Sequence, residues 1–336
     1  MLEHIQKSAE EVAARVVAHR RTLHQIPEVG LELPQTADYV RKVLTELGYR
    51  PENIGISGVV ATLGQGERTL LLRADMDALQ VEECNTLPFR STNGNMHACG
   101  HDMHTAILLG AAEVLKRHEQ ELGCRVKLVF QPGEELGTGA ESLVKAGLLE
   151  TPRVDAAAAL HVDSTIEVGE CSYCTGVATS DIYDIFIQLR GKGGHSSTPD
   201  LCVDPIMIAN QIYTALNMLM TREVSPQAVA TLSGGVMRSG TAVNIIPDTA
   251  DLQVGLRTYN VEARKHVLER LPEIVDAYAK AWHGEYEITM FNCPCTFTDE
   301  ATTKELLESV AEMVGEENIQ AMPPMAGTED FSYVAE

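Results

Sequence analysis

Residues 97–104 read His-Ala-Cys-Gly-His-Asp-Met-His. Histidine and aspartate add little to a core and need hydrogen-bond partners when buried, so their crowding here points to chemistry. A thiolate and an imidazole suit zinc and related first-row divalent ions, whereas magnesium and calcium favour oxygen. Cys99 and His101 are two apart, so on a helix they would point to different sides. In a turn just before a helix they can face one ion. His97 and His104 stay open as ligands or as groups that orient ligands. Asp102 is expected to cap the helix that follows or to orient a neighbour.

A second element is Glu134-Glu135. Adjacent carboxylates can point in different directions, so one can bind metal while the other stays free as a base. Metal-bound water has its pKa drawn down to ~7, and a nearby glutamate can take its proton and later deliver it to a leaving amine. Two solvated loop acids are the bland alternative. Against it stands the company these residues keep at the ends of apolar runs.

Three such runs read as strands: Thr69–Ala74, Arg125–Phe130 and Asp155–Leu160. The first is followed by Asp75 and Asp77, the second by Glu134 and Glu135, and the third by His161. Open α/β sheets place their ligand crevice at the carboxyl ends of the strands, so these groups can converge there. Helical patterns at the N-terminus, over Thr105–Glu121 and over Ala140–Ala146 complete a βαβ rhythm.

From Asp181 the rhythm changes. Strands are expected at Asp181–Arg190, Ala228–Gly234, Thr249–Tyr259 and Glu285–Phe291, with helices at Pro205–Met220 and Val261–His283. That is the β-α-β-β-α-β order of a ferredoxin-like unit. A helical pattern over Thr298–Val314 then resumes the first domain. The expected fold is therefore α/β: a mostly parallel-sheet catalytic domain over 1–178 and 294–336, with an inserted α+β domain over 179–293. A length of 336 residues accommodates two domains.

Apolar residues make up 44% and charged residues 22%, the balance of a soluble globular enzyme. A net charge of −22 and the lack of a basic stripe exclude nucleic acid as a partner. The N-terminus lacks the apolar core of a signal peptide, and no run is long enough to span a bilayer, so no membrane partner is expected. Eight cysteines without such a signal suggest reduced thiols in the cytoplasm. Cys171/Cys174 and Cys293/Cys295 lack a standard zinc-knuckle spacing, and unpaired structural thiols are the default reading.

The motifs continue along the whole chain: LHQIPEVGLELPQT, RADMDAL, HACGHD, QPGEE, LHV, GKGGHSSTP, NIIPD, GLRT and GTEDFS. In this order they resemble the aminoacylase/hippurate hydrolase family of dinuclear-metal amidohydrolases, near its auxin-conjugate hydrolase branch. The resemblance implies two divalent metal ions per subunit (zinc, manganese, cobalt or nickel). Cys99 would bridge them as a thiolate, His101 and His161 would complete one shell, and Glu135 would bind the other ion. Glu134 would be the general base and Asp77 an orienting carboxylate. Asp75 stands where relatives outside this branch carry a ligand histidine, and is not counted as a ligand.

In the inserted domain the resemblance implies that His195 stabilises the oxyanion, in the active site of a partner subunit. Asn244 and Arg257 would hold the substrate carboxylate, for which a guanidinium fork is suited. Gly327 and Thr328 would line the cleft, and His24 and Glu28 would be structural. Taken alone, the first three would be a loop histidine, a loop amide and a surface arginine. The implied activity is hydrolysis of N-acyl amino acids to a carboxylic acid and a free amino acid, by a cytoplasmic homodimer joined through the inserted lid domain. Lid closure would hinge at residues 175–180 and 292–296.

Two alternatives stay open: a di- or tripeptidase with the same metal centre, and a catalytically impaired metal-binding protein. The second arises because the family pattern has a further histidine ligand well after GTEDFS, whereas this sequence stops at Glu336. The resemblance thus implies a first domain shortened at its C-terminal end. A nucleobase deaminase is excluded, since its HxE and PCxxC pattern is missing.

Overall fold

Backbone packing divides the computed structural model, which describes residues 2–335, into two units. The first runs up to Ala178 and takes in Thr296–Pro323 and the residues from Glu329 onward. The second comprises Thr179–Cys295 and Pro324–Thr328. The last of these segments was expected with the first domain. It groups with the second because Thr179 bridges to Met325 and the Ser180 amide donates to the Gly327 carbonyl at 3.1 Å.

The first unit opens with helices α1 (Leu2–Leu23) and α2 (Pro34–Glu46). Strands β1 (Glu52–Ile54), β2 (Gly58–Gly64) and β3 (Thr69–Asp75) follow, then α3 (His101–Arg117), β4 (Arg125–Gln131), α4 (Gly139–Lys145) and β5 (Ala156–Ala159). The five strands form one sheet in the order β1-β2-β4-β3-β5. β3 is parallel to β4 and β5, while β2 is antiparallel to both β1 and β4. Hence β2 alone runs against the other four, and the sheet is mostly parallel.

Both faces of this sheet are covered, which explains near-continuous apolar runs rather than alternation. One face packs Leu109, Leu128 and Phe130 with Val40 and Leu44 of α2, and the other packs Leu71 and Val129 with Leu143 of α4. Helix α2 lacks a capping side chain on its own N-cap residue. Glu28 supplies one, accepting from the backbone and hydroxyl of Thr36 at 2.9 and 3.0 Å. A carboxylate there also complements the positive end of the helix dipole.

Helix α3 starts at His101, four residues earlier than the apolar periodicity indicates. Gly100 is its N-cap residue, at φ 90°, a left-handed conformation that glycine adopts without steric cost. Asp102, expected as a cap or as an orienting group, lies in the first turn and takes the second role. Its Oδ2 is engaged sideways by Arg20 Nε and His24 Nδ1, each at 2.8 Å.

Two short strands, β6 (Cys171–Tyr173) and β7 (Gly176–Val177), close the first pass. The second unit then contains β8 (Asp181–Arg190), β9 (Gly194–His195), α5 (Pro205–Arg222), β10 (Ala230–Ser239), β11 (Ile245–Ile246), β12 (Thr249–Thr258), α6 (Val261–Ala281) and β13 (Glu285–Cys293). Its antiparallel sheet has the order β10-β12-β8-β13. Ile185, Ile187 and Leu189 alternate inward from β8 and pack against α5 and α6 through Ile212, Leu216, Val267 and Leu271. This is a one-faced ferredoxin-like core. Asp204 and Asn260 cap the two helices with side-chain oxygens.

The chain returns to the first unit with β14 (Phe297–Thr298) beside β7, α7 (Glu300–Val314), β15 (Ile319–Ala321) beside β6, and α8 (Ser332–Ala335). Among the described residues, no helix is long and apolar enough to cross a membrane. Cys84, Cys99, Cys124, Cys171, Cys174 and Cys202 are thiols outside any disulfide.

Candidate metal centre

Three parallel strands deliver their carboxyl ends to one edge of the first unit's sheet. Asp75 ends β3 and Asp77 follows it; Glu134 and Glu135 follow β4; His161 follows β5. The N-terminus of α3 brings His101 to the same edge, with Cys99 in the preceding turn. The sulfur of Cys99 lies 3.4 Å from His161 Nε2. Nε2 of His101 lies 3.8 Å from Asp75 Oδ2, 3.8 Å from Glu134 Oε2 and 4.0 Å from Glu135 Oε1.

Asp77 organises this group from beneath. Its Oδ1 is 3.3 Å from His101 Nδ1, and its two oxygens accept the backbone N–H groups of Glu134 and Glu135 at 3.1 and 3.0 Å. One buried carboxylate thus sets both the His101 ring and the loop bearing the glutamates. The donor atoms overlap in triads: Cys99, His101 and His161; His101, Glu134 and Glu135; and Asp75, His101 and His104.

A third layer was not anticipated from the sequence. Arg73 is buried in the middle of β3 and donates to Asp75, Gln131, Glu329 and Asp330 at 2.7, 2.9, 2.9 and 3.0 Å. Asp330 also accepts from Gln131 Nε2 and from the Ala140 amide. Glu134, Glu329 and Asp330 hold carboxylate oxygens within 4.8 Å of one another. The one visible signal was a charged residue inside the apolar run Thr69–Ala74.

These neighbours shift the ionisation of the group. Burial, reinforced by the negative charge of Glu329 and opposed by Arg73, pushes the Glu134 carboxyl up to about 9. Burial likewise raises Glu135, against the pull of His101. Burial alone would lower His101, but its contacts with Asp77 and Cys99 and the charges of Asp75 and Asp77 push it up to about 12. Cys99 is lowered by its closeness to the His101 and His161 rings, and His161 is raised to about 9, chiefly by Cys99. Arg73 and His104 overcome the desolvation of Asp75 and hold it well below the usual carboxylate range.

The pattern is that of a site short of positive charge. His101 is 1% exposed, yet neither of its ring nitrogens completes an aligned hydrogen bond, and neither does Glu135 Oε1. Buried polar atoms without partners are costly, and a cation removes that cost. Sulfur, nitrogen and carboxylate donors at one point fit a first-row divalent ion. The residues present therefore fit a metal.

The remaining candidates fall elsewhere. His97 is buried with both ring nitrogens unpartnered among the described residues, and its ring is 6.4 Å from that of His24. Histidine 24 bridges Asp102 and Glu83 at 2.8 and 3.0 Å. In the second unit, His195 on β9 pairs with Ile245 on β11, and the Asn244 carbonyl accepts the Ser196 amide at 3.1 Å, so these two residues are neighbours. Arg257 is exposed on β12, opposite Ile182 and Thr231. Gly327 and Thr328 belong to the short segment that groups with this unit.

Comparison with known proteins agrees with this architecture. Residues 71–336 match the family model of peptidase family M20/M25/M40. The chain is 34% identical over 326 residues to IAA-amino acid hydrolase ILR1-like 4 of Arabidopsis thaliana, spanning 95% of this chain and 74% of that protein. It is 36% identical over 328 residues to hippurate hydrolase of Campylobacter jejuni, spanning 94% and 84%. Among solved structures, the Bacillus subtilis YXEP protein, described as a dinuclear metal binding peptidase from M20 family, superposes with a TM-score of 0.81 at 29% identity. That match covers 97% of this chain and 86% of that one. The chain belongs to peptidase family M20/M25/M40 and is one of its metal-dependent amidohydrolases.

Proposed function

We propose that this enzyme hydrolyses the amide bond of N-acyl amino acids with a pair of divalent ions held by Cys99, His101, Glu135 and His161. The observation that carries this reading is the buried His101 ring, whose nitrogens complete no aligned hydrogen bond although it stands among a thiol, an imidazole and four carboxylates. Cys99, as a thiolate, would hold them together with the imidazoles of His101 and His161 and the carboxylate of Glu135. The ion is zinc, manganese, cobalt or nickel. When bound, such ions act as Lewis acids toward water and the acyl oxygen.

The chain's own groups do the rest. Glu134 takes the proton of the attacking water and passes it to the amide nitrogen as the C–N bond breaks, releasing a carboxylic acid and an amino acid. Its raised pKa suits proton delivery, and nearby divalent charge lowers that value toward the base form. Asp77 orients His101 and the glutamate loop.

In the second unit, His195 is the hydrogen-bond donor for the acyl oxygen. Its Nδ1 accepts the Ser197 amide at 3.2 Å, which leaves the proton on the exposed Nε2. Asn244 and Arg257 take the amino-acid carboxylate, with Gly327 and Thr328 as further donors. Pairing of second units in a homodimer lets a partner copy supply His195. A cytoplasmic setting fits the dependence on a reduced Cys99.

A substrate panel tests the reading. Metal-loaded enzyme should cleave hippurate or N-acetyl amino acids far faster than dipeptides with the same C-terminal residue. The reverse preference would replace it with a peptidase.

A further inference from the structure

His104 has no part in the roles assigned above, yet it stands between β3 and the loop that carries His161. Its ring is buried, and its two nitrogens meet different partners. Nδ1 lies 2.6 Å from Asp75 Oδ1, and Nε2 lies 2.9 Å from the backbone nitrogen of Val162. An amide N–H can only donate, so Nε2 is the bare nitrogen. An ionised carboxylate can only accept, so Nδ1 carries the proton.

Asp75 is itself fixed. Arg73 donates to its Oδ2 at 2.7 Å, and Thr105 Oγ1 donates to its backbone carbonyl at 2.8 Å. Val162 is held from its other side too. A Cβ on Gly100 would come within 2.5 Å of Val162 Cγ2, so only the bare backbone of a glycine leaves room for that side chain. The Val162 carbonyl then accepts His161 Nδ1 at 2.7 Å, which turns His161 Nε2 toward Cys99. The two imidazoles meet edge to face with centroids 4.5 Å apart.

We propose that His104 is a positioning residue of the centre: anchored through Nδ1–H on Asp75, it grips the Val162 amide and so fixes the pose in which His161 offers Nε2 beside Cys99. This rests on the reading of His161 as a metal ligand. Partners that orient a ligating histidine typically change metal affinity by about 10- to 100-fold when lost.

The test begins with the unaltered protein. Long-range ¹H–¹⁵N correlation spectra should show His104 as the neutral Nδ1–H tautomer; an Nε2–H tautomer or an imidazolium overturns the proposal. Cobalt(II) titration of variants follows. Asn at 104 can keep the donor to Asp75 but not the acceptor for Val162, so His104→Asn should weaken cobalt binding by about 10- to 100-fold. Gln can place a carbonyl near the Val162 amide, so His104→Gln should recover most of that loss and restore the thiolate-to-cobalt absorption.

Wild-type cobalt affinity in His104→Asn overturns the proposal, as does equal weakening in both variants with lowered thermal midpoints, which marks a packing role. His161→Ala separates the two readings. If it binds cobalt as the wild type does, the ligand reading itself falls. If it is weakened while His104→Asn is not, only the positioning role falls.

Discussion

Asp77 Oδ1 sits 3.3 Å from Nδ1 of His101, on the far side of the ring from the nitrogen that faces Asp75, Glu134 and Glu135. The same carboxylate holds the amides of both glutamates. Asp77→Ala should therefore loosen a ligand and a loop together. Metal affinity, measured by competition with a chromophoric chelator, should fall by about 10- to 100-fold. An unchanged affinity would reduce Asp77 to a packing residue.

Glu134 is assigned to proton transfer and Glu135 to metal. Glu134→Gln keeps the shape of the side chain but cannot exchange a proton. It should retain its full metal content, read by elemental analysis, and lose about 100- to 10,000-fold in kcat. Glu135→Gln should instead lower metal content. If the two variants behave alike, the division of labour is wrong.

Removing the metal should expose the repulsion within the cluster. A ligand that binds only the folded state stabilises it by mass action. Chelator-treated protein should melt earlier, and the midpoint should climb with the logarithm of added zinc or manganese. A melting curve indifferent to both would count against metal coupling to the fold.

Arg73 satisfies four acceptors inside the first unit. Removing one partner of a buried ionic cluster costs about 3–5 kcal/mol, because the charges left behind stay unpaired. Arg73→Met should lose stability of that order in urea unfolding. A loss below about 1 kcal/mol would place the cluster in the range of surface ion pairs.

The His24–Asp102 pair gives a pH signature. The hydrogen bond that His24 donates to Asp102 raises the pKa of His24 above its usual 6.5, against the effect of burial. The folded state therefore binds the proton more tightly than the unfolded chain. That stabilisation is complete below 6.5 and is lost as pH climbs through the raised folded value. His24→Asn should flatten this decline in the unfolding midpoint of metal-free protein. An identical slope in both proteins would assign it to other groups.

Local pattern revealed a good deal of this molecule, for reasons the residues make plain. The runs Thr69–Ala74 and Arg125–Phe130 are apolar because both faces of the sheet are covered, and their ends lie at one edge because β3, β4 and β5 are parallel. The reversed course of β2 left no such mark, since direction is a property of pairing rather than of composition. Of the two roles open to Asp102, cap or orienting group, the second holds, and its partners Arg20 and His24 were hidden because they are some eighty positions upstream. Arg73 stood out in its apolar run, but its partners were hidden for the same reason: its link to Glu329 joins residues 256 apart.

The amide of Ala178 donates to the carbonyl of Thr296 at 2.8 Å, where the chain leaves the first unit and comes back to it. Folding kinetics follow from that closeness. While residues 179–295 are a coil, joining Arg73 to Glu329 closes a loop spanning 256 positions; once they have collapsed into their own sheet and helices, the effective loop is roughly halved, which lowers the closure cost by about 0.6 kcal/mol. Prior folding of the inserted unit should thus speed assembly of the acid cluster by about two- to three-fold, a modest kinetic advantage carried by where the insertion sits.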